Sequence, residues 1–193
     1  MQMSLLASKL QSACSRARAF IADRRATSAI EFAILAPLMI TLYFGGIEIT
    51  QALSANRKTT LVARTVADLV AQKSALSDAD KTNILDASAA VATPFSDANL
   101  RVVISSVKID NTGTAKVAWS DTLHGVARSP GDTIALDAAL AVPNTSLILG
   151  EVTYVYKPMF GDAIFGQFDM SDRIYMRPRR SPCVQRPPSV TTC

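Results

Sequence analysis

The run Ala29–Thr50 limits what this chain can become more than any other stretch. It is almost wholly apolar, with Glu31 near one end and Glu48 near the other. Between those two acids only Thr41 and Tyr43 carry polar side-chain atoms. As a helix rising about 1.5 Å per residue the run spans about 33 Å, against ~30 Å for the hydrocarbon of a bilayer. A soluble helix buries one stripe and wets the other. This run has no face to wet, so it reads as a single membrane span. A buried soluble helix is the bland alternative.

Charge sets the orientation. Ahead of the span, Lys9, Arg16, Arg18, Arg24 and Arg25 stand against Asp23 alone. That local excess equals the formal charge of the whole chain, +4. Everything after residue 28 is balanced, so the basic character is no footprint for nucleic acid. By the positive-inside rule residues 1–28 form a cytoplasmic leader, and the chain beyond the span lies across the membrane. A cleaved secretory signal, with Ala52 and Ser54 as its small-x-small pair, is the rival. Its apolar region and its leader are both longer than such signals use.

Beyond the span, Gln51–Lys73 continues without Gly or Pro. Leu53, Val62, Val66, Leu69 and Val70 recur at helical spacing. The expectation is one long helix from about Ser28 to Lys73, with Pro37 and Gly45-Gly46 as soft points; residues 51–75 form its helical stalk. Ser77-Asp78-Ala79-Asp80 supplies N-cap chemistry for a second helix over Asp78–Ala92, and Pro94 stops it. Leu100–Ile109, the turn Asp110-Asn111-Thr112-Gly113 and Thr114–Ser120 predict a β-hairpin. In its second strand Ala115, Val117 and Trp119 alternate onto one face. Ser129–Asp132 is a turn and Thr133–Ala141 a short helix. Leu147–Tyr156 and Arg173–Arg177 are strands, with Val152, Tyr154 and Tyr156 facing the core. The fold class is α+β: a long N-terminal helix plus a small antiparallel sheet with packed helices, a head over residues 76–180, and a Pro-rich tail over 181–193.

Three cysteines are present. Cys14 lies in the leader. Cys183 and Cys193 lie close together on the side expected to be oxidising, and a bridge between them would contribute at most ~2–3 kcal/mol for so short a loop. Two free thiols are the alternative. No CxxC or Cys/His spacing points to zinc, and no metal or cofactor is expected. His124 is the only histidine. Phosphate loops, nucleophile elbows and dinucleotide glycine patterns are missing, so catalysis is not expected. Arg173, Arg177, Arg179, Arg180 and Arg186 form a basic C-terminal stretch. They make either a solvated edge or a contact for an acidic partner or lipid head groups.

From Arg24 to Pro37 the sequence runs Arg-Arg-Ala-Thr-Ser-Ala-Ile-Glu-Phe-Ala-Ile-Leu-Ala-Pro, and Phe44-Gly45-Gly46-Ile47-Glu48 closes the span. This resembles the TadE-like family, bitopic proteins of Tad (Flp) pilus assembly described as pseudopilins or minor pilins. The resemblance covers about residues 24–70. It implies a pilin-like architecture, a bacterial inner-membrane location and a periplasmic head. It also implies other pilin-like subunits, the Tad machinery and a prepilin peptidase as partners. In pilin-type precursors the peptidase cuts ahead of the conserved acid, here between Ala26 and Thr27. Glu31, followed by Phe32, would then face the new α-amine of a neighbouring subunit. A buried carboxylate is costly alone and far less so when paired. Ala26 stands where the family has Gly. With the leader cut the chain is a filament subunit; with it retained, a static anchor whose Glu31 snorkels to the inner interface. A membrane-tethered binding or sensing domain is the second functional reading, and an anchored enzyme the third.

Overall fold

The computed structural model describes residues 24–160 and 166–188. The chain divides into two compact units, Met1–Ile47 and Glu48–Cys193. Helix α1 runs from Arg24 to Ala71 without a break, 48 residues with Pro37 inside it. Pro37 has no N–H to donate to the carbonyl of Ala33. Thr41 adds a bond at the same turn, its hydroxyl donating to the Pro37 carbonyl at 2.8 Å.

In the first unit the apolar side chains of α1 point outward on every side. Ile30, Phe32, Ile34, Leu35, Leu38 and Leu42 are each more than half exposed. No apolar window of a core helix is bare in this way. Among the described residues this is the one helix long and apolar enough to cross a membrane.

The second unit is a five-stranded sheet with helices on one face. Its strands are β1 (Leu100–Ile109), β2 (Ala115–Leu123), β3 (Thr133–Ile134), β4 (Ser146–Tyr156) and β5 (Phe168–Met176). Their order is β3-β2-β1-β4-β5, and every neighbouring pair is antiparallel. With a long apolar helix, a second helix and a small antiparallel sheet, the α+β expectation holds.

The C-terminal half of α1 lies on the sheet through two ridges. Ala55, Thr59, Ala63, Ala67 and Ala71 make a row of small buried residues four apart, and Val62, Val66 and Val70 make a second. The Thr59 hydroxyl is satisfied by the Ala55 carbonyl at 3.0 Å. Leu53, placed on the apolar stripe by its spacing, is 55% exposed instead. The small row lets the helix come close: a Cβ on Gly150 of β4 would sit 3.0 Å from the Ala63 carbonyl oxygen and 3.2 Å from the Ala67 Cβ. Leu100, Val102, Ile104, Trp119, Ile148, Val152, Tyr154 and Tyr156 complete this main core from the sheet, so Val152, Tyr154 and Tyr156 do face inward. A second cluster, with Val107, Ile109, Ala115, Val117, Ile134, Leu147 and Leu149, packs under the other face.

Helix α2 spans Asp78–Ala92, as its sequence predicts, and opens on a capping box. The Asp80 amide donates to the Ser77 hydroxyl at 3.1 Å, and the Ser77 amide to the Asp80 carboxylate at 3.3 Å. The Lys73 ammonium at 2.7 Å, with help from Ser77, holds the Asp80 carboxyl down to about 2. At the other end Lys58 of α1 donates to the Val91 carbonyl at 3.1 Å, a cation on the orphan acceptors of a helix C-terminus.

Two sequence expectations change. Ala115, Val117 and Trp119 do not share a face. The register jumps between Ser106↔Trp119 and Val107↔Val117, leaving Ala118 as a bulge residue. Ala115 and Val117 therefore join the second cluster while Trp119 joins the main core. Thr133–Ala141 is no helix. Thr133 and Ile134 pair with Lys116 and Ala115 to form β3, and turns follow. Nine residues hold a helix weakly on their own. Burial of Ile134 and the open edge of β2 decide the conformation. Strand β5 is also longer than expected, because it pairs with β4 all the way from Tyr156 to Ile148.

The segment after β5 is tied to the head. The Arg179 amide caps the Ala71 carbonyl at 2.8 Å, and Leu76 and Gln185 exchange backbone bonds with the segment opposite. Val184 is fully buried, and its carbonyl accepts the indole N–H of Trp119 at 2.7 Å. Arg186 reaches Asp121 at 2.6 Å and Asp78 at 2.6 Å, and Arg179 pairs with Asp68. Two of the five tail arginines thus meet acids of this chain rather than acids of a partner.

Candidate functional site

Ala26, Thr27, Glu31 and Phe32 all lie on α1, which begins at Arg24. Thr27 and Glu31 are four positions apart, so they stack on one side of the helix. Glu31 is exposed and Phe32 is 72% exposed. No hydrogen bond or ion pair among the described residues engages Glu31, and in hydrocarbon such a carboxylate would lack any counter-charge. The arrangement is that of an apolar rod with one acid waiting on its flank. The leader through Asp23 lies outside the described residues, as does Cys193. Cys183 is disulfide-bonded and buried.

Glu48 has a different role, which spacing alone did not reveal. Its carboxylate accepts the Tyr156 hydroxyl at 2.7 Å, the Met159 amide at 3.1 Å and the Phe160 amide at 3.3 Å. Charge-assisted bonds of this kind are about twice as strong as neutral ones. The second acid of the apolar run is therefore a latch that fixes the loop after β4 against α1. No local signal in the sequence announces it, because Tyr156, Met159 and Phe160 lie 108, 111 and 112 positions away.

The rest of the head offers little for chemistry. His124 follows β2 in an exposed loop at φ 53°, its ring nitrogen 3.3 Å from the Leu100 carbonyl. Arg128 makes a two-pronged pair with Glu151 at 2.7 and 2.6 Å, pinning a loop over the outer sheet face. Among the described residues no group of His, Cys, Asp and Glu could hold a metal ion. An open cleft of about 530 Å³ is lined by Lys108, Asp110, Lys116, Asn144, Ser146 and Cys183 among others. Its Cys183 is disulfide-bonded, and its Ser146 hydroxyl donates to the Pro182 carbonyl at 2.5 Å.

Comparison with known proteins adds one finding. Residues 26–68 match the family model described as TadE-like protein, the same stretch that carries the apolar rod and its two acids. No curated protein and no solved structure matches.

Proposed function

We propose that the chain is a structural or assembly subunit of a Tad-type pilus, a single-pass, non-enzymatic protein of the bacterial inner membrane. Its leader stays in the cytoplasm and its α+β head lies in the periplasm. A peptidase removes the leader between Ala26 and Thr27, and Glu31 then pairs with the α-amine of a neighbouring pilin-like helix. The observation that carries this reading is the exposed apolar rod of α1 with Glu31 on it, engaged by no hydrogen bond or ion pair among the described residues, inside the stretch that matches the TadE-like family. Burying that carboxylate against a second rod costs several kcal/mol unless a cation meets it, and the new α-amine supplies one. A bridge from Cys183 to Cys193 closes the tail of the head, where the surroundings are oxidising.

Mass spectrometry of the protein from its own membrane tests the reading. The expected N-terminus is Thr27; an intact leader makes the chain a static anchor. In parallel, Glu31→Ala should insert into the membrane normally and fail to assemble. Normal pili in that variant would remove the pairing mechanism.

A further inference from the structure

Three of the exposed apolar side chains of the head lie on or beside a loop that is bonded to the end of the apolar run of α1. Met159 is 77% exposed, Phe160 52% and Phe168 44%. Glu48 holds the loop that carries the first two. Its carboxylate binds the backbone amides of Met159 and Phe160 and the hydroxyl of Tyr156. The Tyr156 ring in turn lies 5.3 Å from the ring of Phe168, centroid to centroid. Lys157, beside them, is exposed. Such a cluster on a soluble surface is an unpaid cost.

Glu48 is the first charged residue after Glu31, and the apolar run stops at Thr50 before Gln51, Asn56, Arg57 and Lys58. Its carboxylate thus marks the level at which a spanning helix leaves the hydrocarbon. The carboxylate holds the backbone of Met159 and Phe160 directly, and Phe168 only through the Tyr156 ring, so the loop's depth follows that of Glu48. A loop with Met and Phe tips and an adjacent Lys suits the boundary between acyl chains and head groups. There apolar rings gain by burial, and a lysine stem can lie along them with its charge in water.

We infer that the loop Lys157–Phe160, together with Phe168, is a second membrane contact: it dips into the outer interface of the same bilayer that α1 crosses, and so fixes the head on the membrane surface. This rests on the spanning reading of α1. The occupant of the patch is lipid, because its loop is bonded to Glu48, two positions before the apolar run ends at Thr50.

Full-length protein reconstituted in vesicles of phosphatidylglycerol and phosphatidylethanolamine, with and without a mixture of chains brominated near the carbonyl end and near the methyl end, gives the test. The native Trp119 is buried and supplies a constant background. Three variants each add one tryptophan: Met159→Trp in the loop, Val126→Trp at an 88% exposed site elsewhere on the head, and Leu38→Trp within the span. The expected result is that Met159→Trp and Leu38→Trp both lose emission in brominated vesicles, to within a factor of roughly two of each other, while Val126→Trp matches the wild type. Quenching of Leu38→Trp with none at Met159→Trp overturns the loop contact and leaves the span standing. Absence of quenching at Leu38→Trp overturns the spanning reading, and this inference with it. Equal quenching at Val126→Trp and Met159→Trp also overturns it, since the contact would then be unspecific.

Discussion

Arg186 shows how one side chain can hold a terminus. Its guanidinium bonds Asp121 of β2 and Asp78 at the start of α2, and it reaches the Leu76 carbonyl at 3.3 Å. Arg186 and Asp121 are each almost buried, with side-chain exposures of 12% and 13%. Removing one partner of such a pair strands the other, although Lys81 at 3.2 Å still faces Asp121. Arg186→Ala should therefore cost about 2–4 kcal/mol. Arg179 is 59% exposed in its pair with Asp68, and Arg179→Ala should stay within about 1 kcal/mol. Urea unfolding followed by Trp119 emission compares them; equal costs would remove the distinction. Sequence showed a run of arginines but not this inequality. Asp78 and Asp121 are far from Arg186 in the chain, and no local spacing brings them together. Glu48 was hidden for the same reason: its partners are Tyr156, Met159 and Phe160, met only when β4 ends beside α1. Ser77 and Asp80 were legible, because a capping box is complete within four residues.

At the scale of elements, the contact between α1 and β4 is set by what is missing from it. Gly150 lies under the small row of α1, and its nearest neighbour is a backbone atom, the Ala63 carbonyl oxygen. Gly150→Ala should destabilise by about 1–2 kcal/mol, and Gly150→Val by more, because the helix backbone must shift to admit a Cβ. Trimming the helix with Ala67→Gly should not rescue Gly150→Ala, since Ala63 still blocks it through its main chain. Full recovery in the double variant, measured by the same unfolding, would place the conflict in the Ala67 side chain instead. The strands and helices around this contact were largely readable, since α2 and β1 each complete their own periodicity. The failures fall where pairing overrules local pattern. A bulge at Ala118 reverses the alternation of β2, and nothing in Lys-Val-Ala-Trp announces it. Segment 133–141 has helical composition, yet the free edge of β2 recruits its first two residues. Strand β5 carries Asp169, Asp172 and Arg173, charges that suit an edge and mask a strand.

For the whole molecule, the division of labour follows from where apolar surface is buried. Both core clusters lie within Glu48–Cys193, so that unit has what it needs to fold without the rod. The apolar half of α1 contributes to neither cluster, and Ile30, Phe32, Ile34, Leu35, Leu38 and Leu42 are each more than half exposed. Water alone cannot accommodate that much contiguous apolar surface. Two preparations should thus behave in opposite ways. A chain beginning at Gln51 keeps Ala55 and every later buried position of α1, and should run as a monomer in plain buffer with Trp119 emitting from a buried site. It gives up the Glu48 latch, which costs it the order of the loop at Met159 and Phe160 but not its core. The full chain should need detergent or lipid to stay dispersed. Size-exclusion chromatography of both, with and without detergent, decides the matter. A full chain that elutes as a monomer in buffer would mean that the rod folds back onto protein, and the reading of α1 as a span would fail with it.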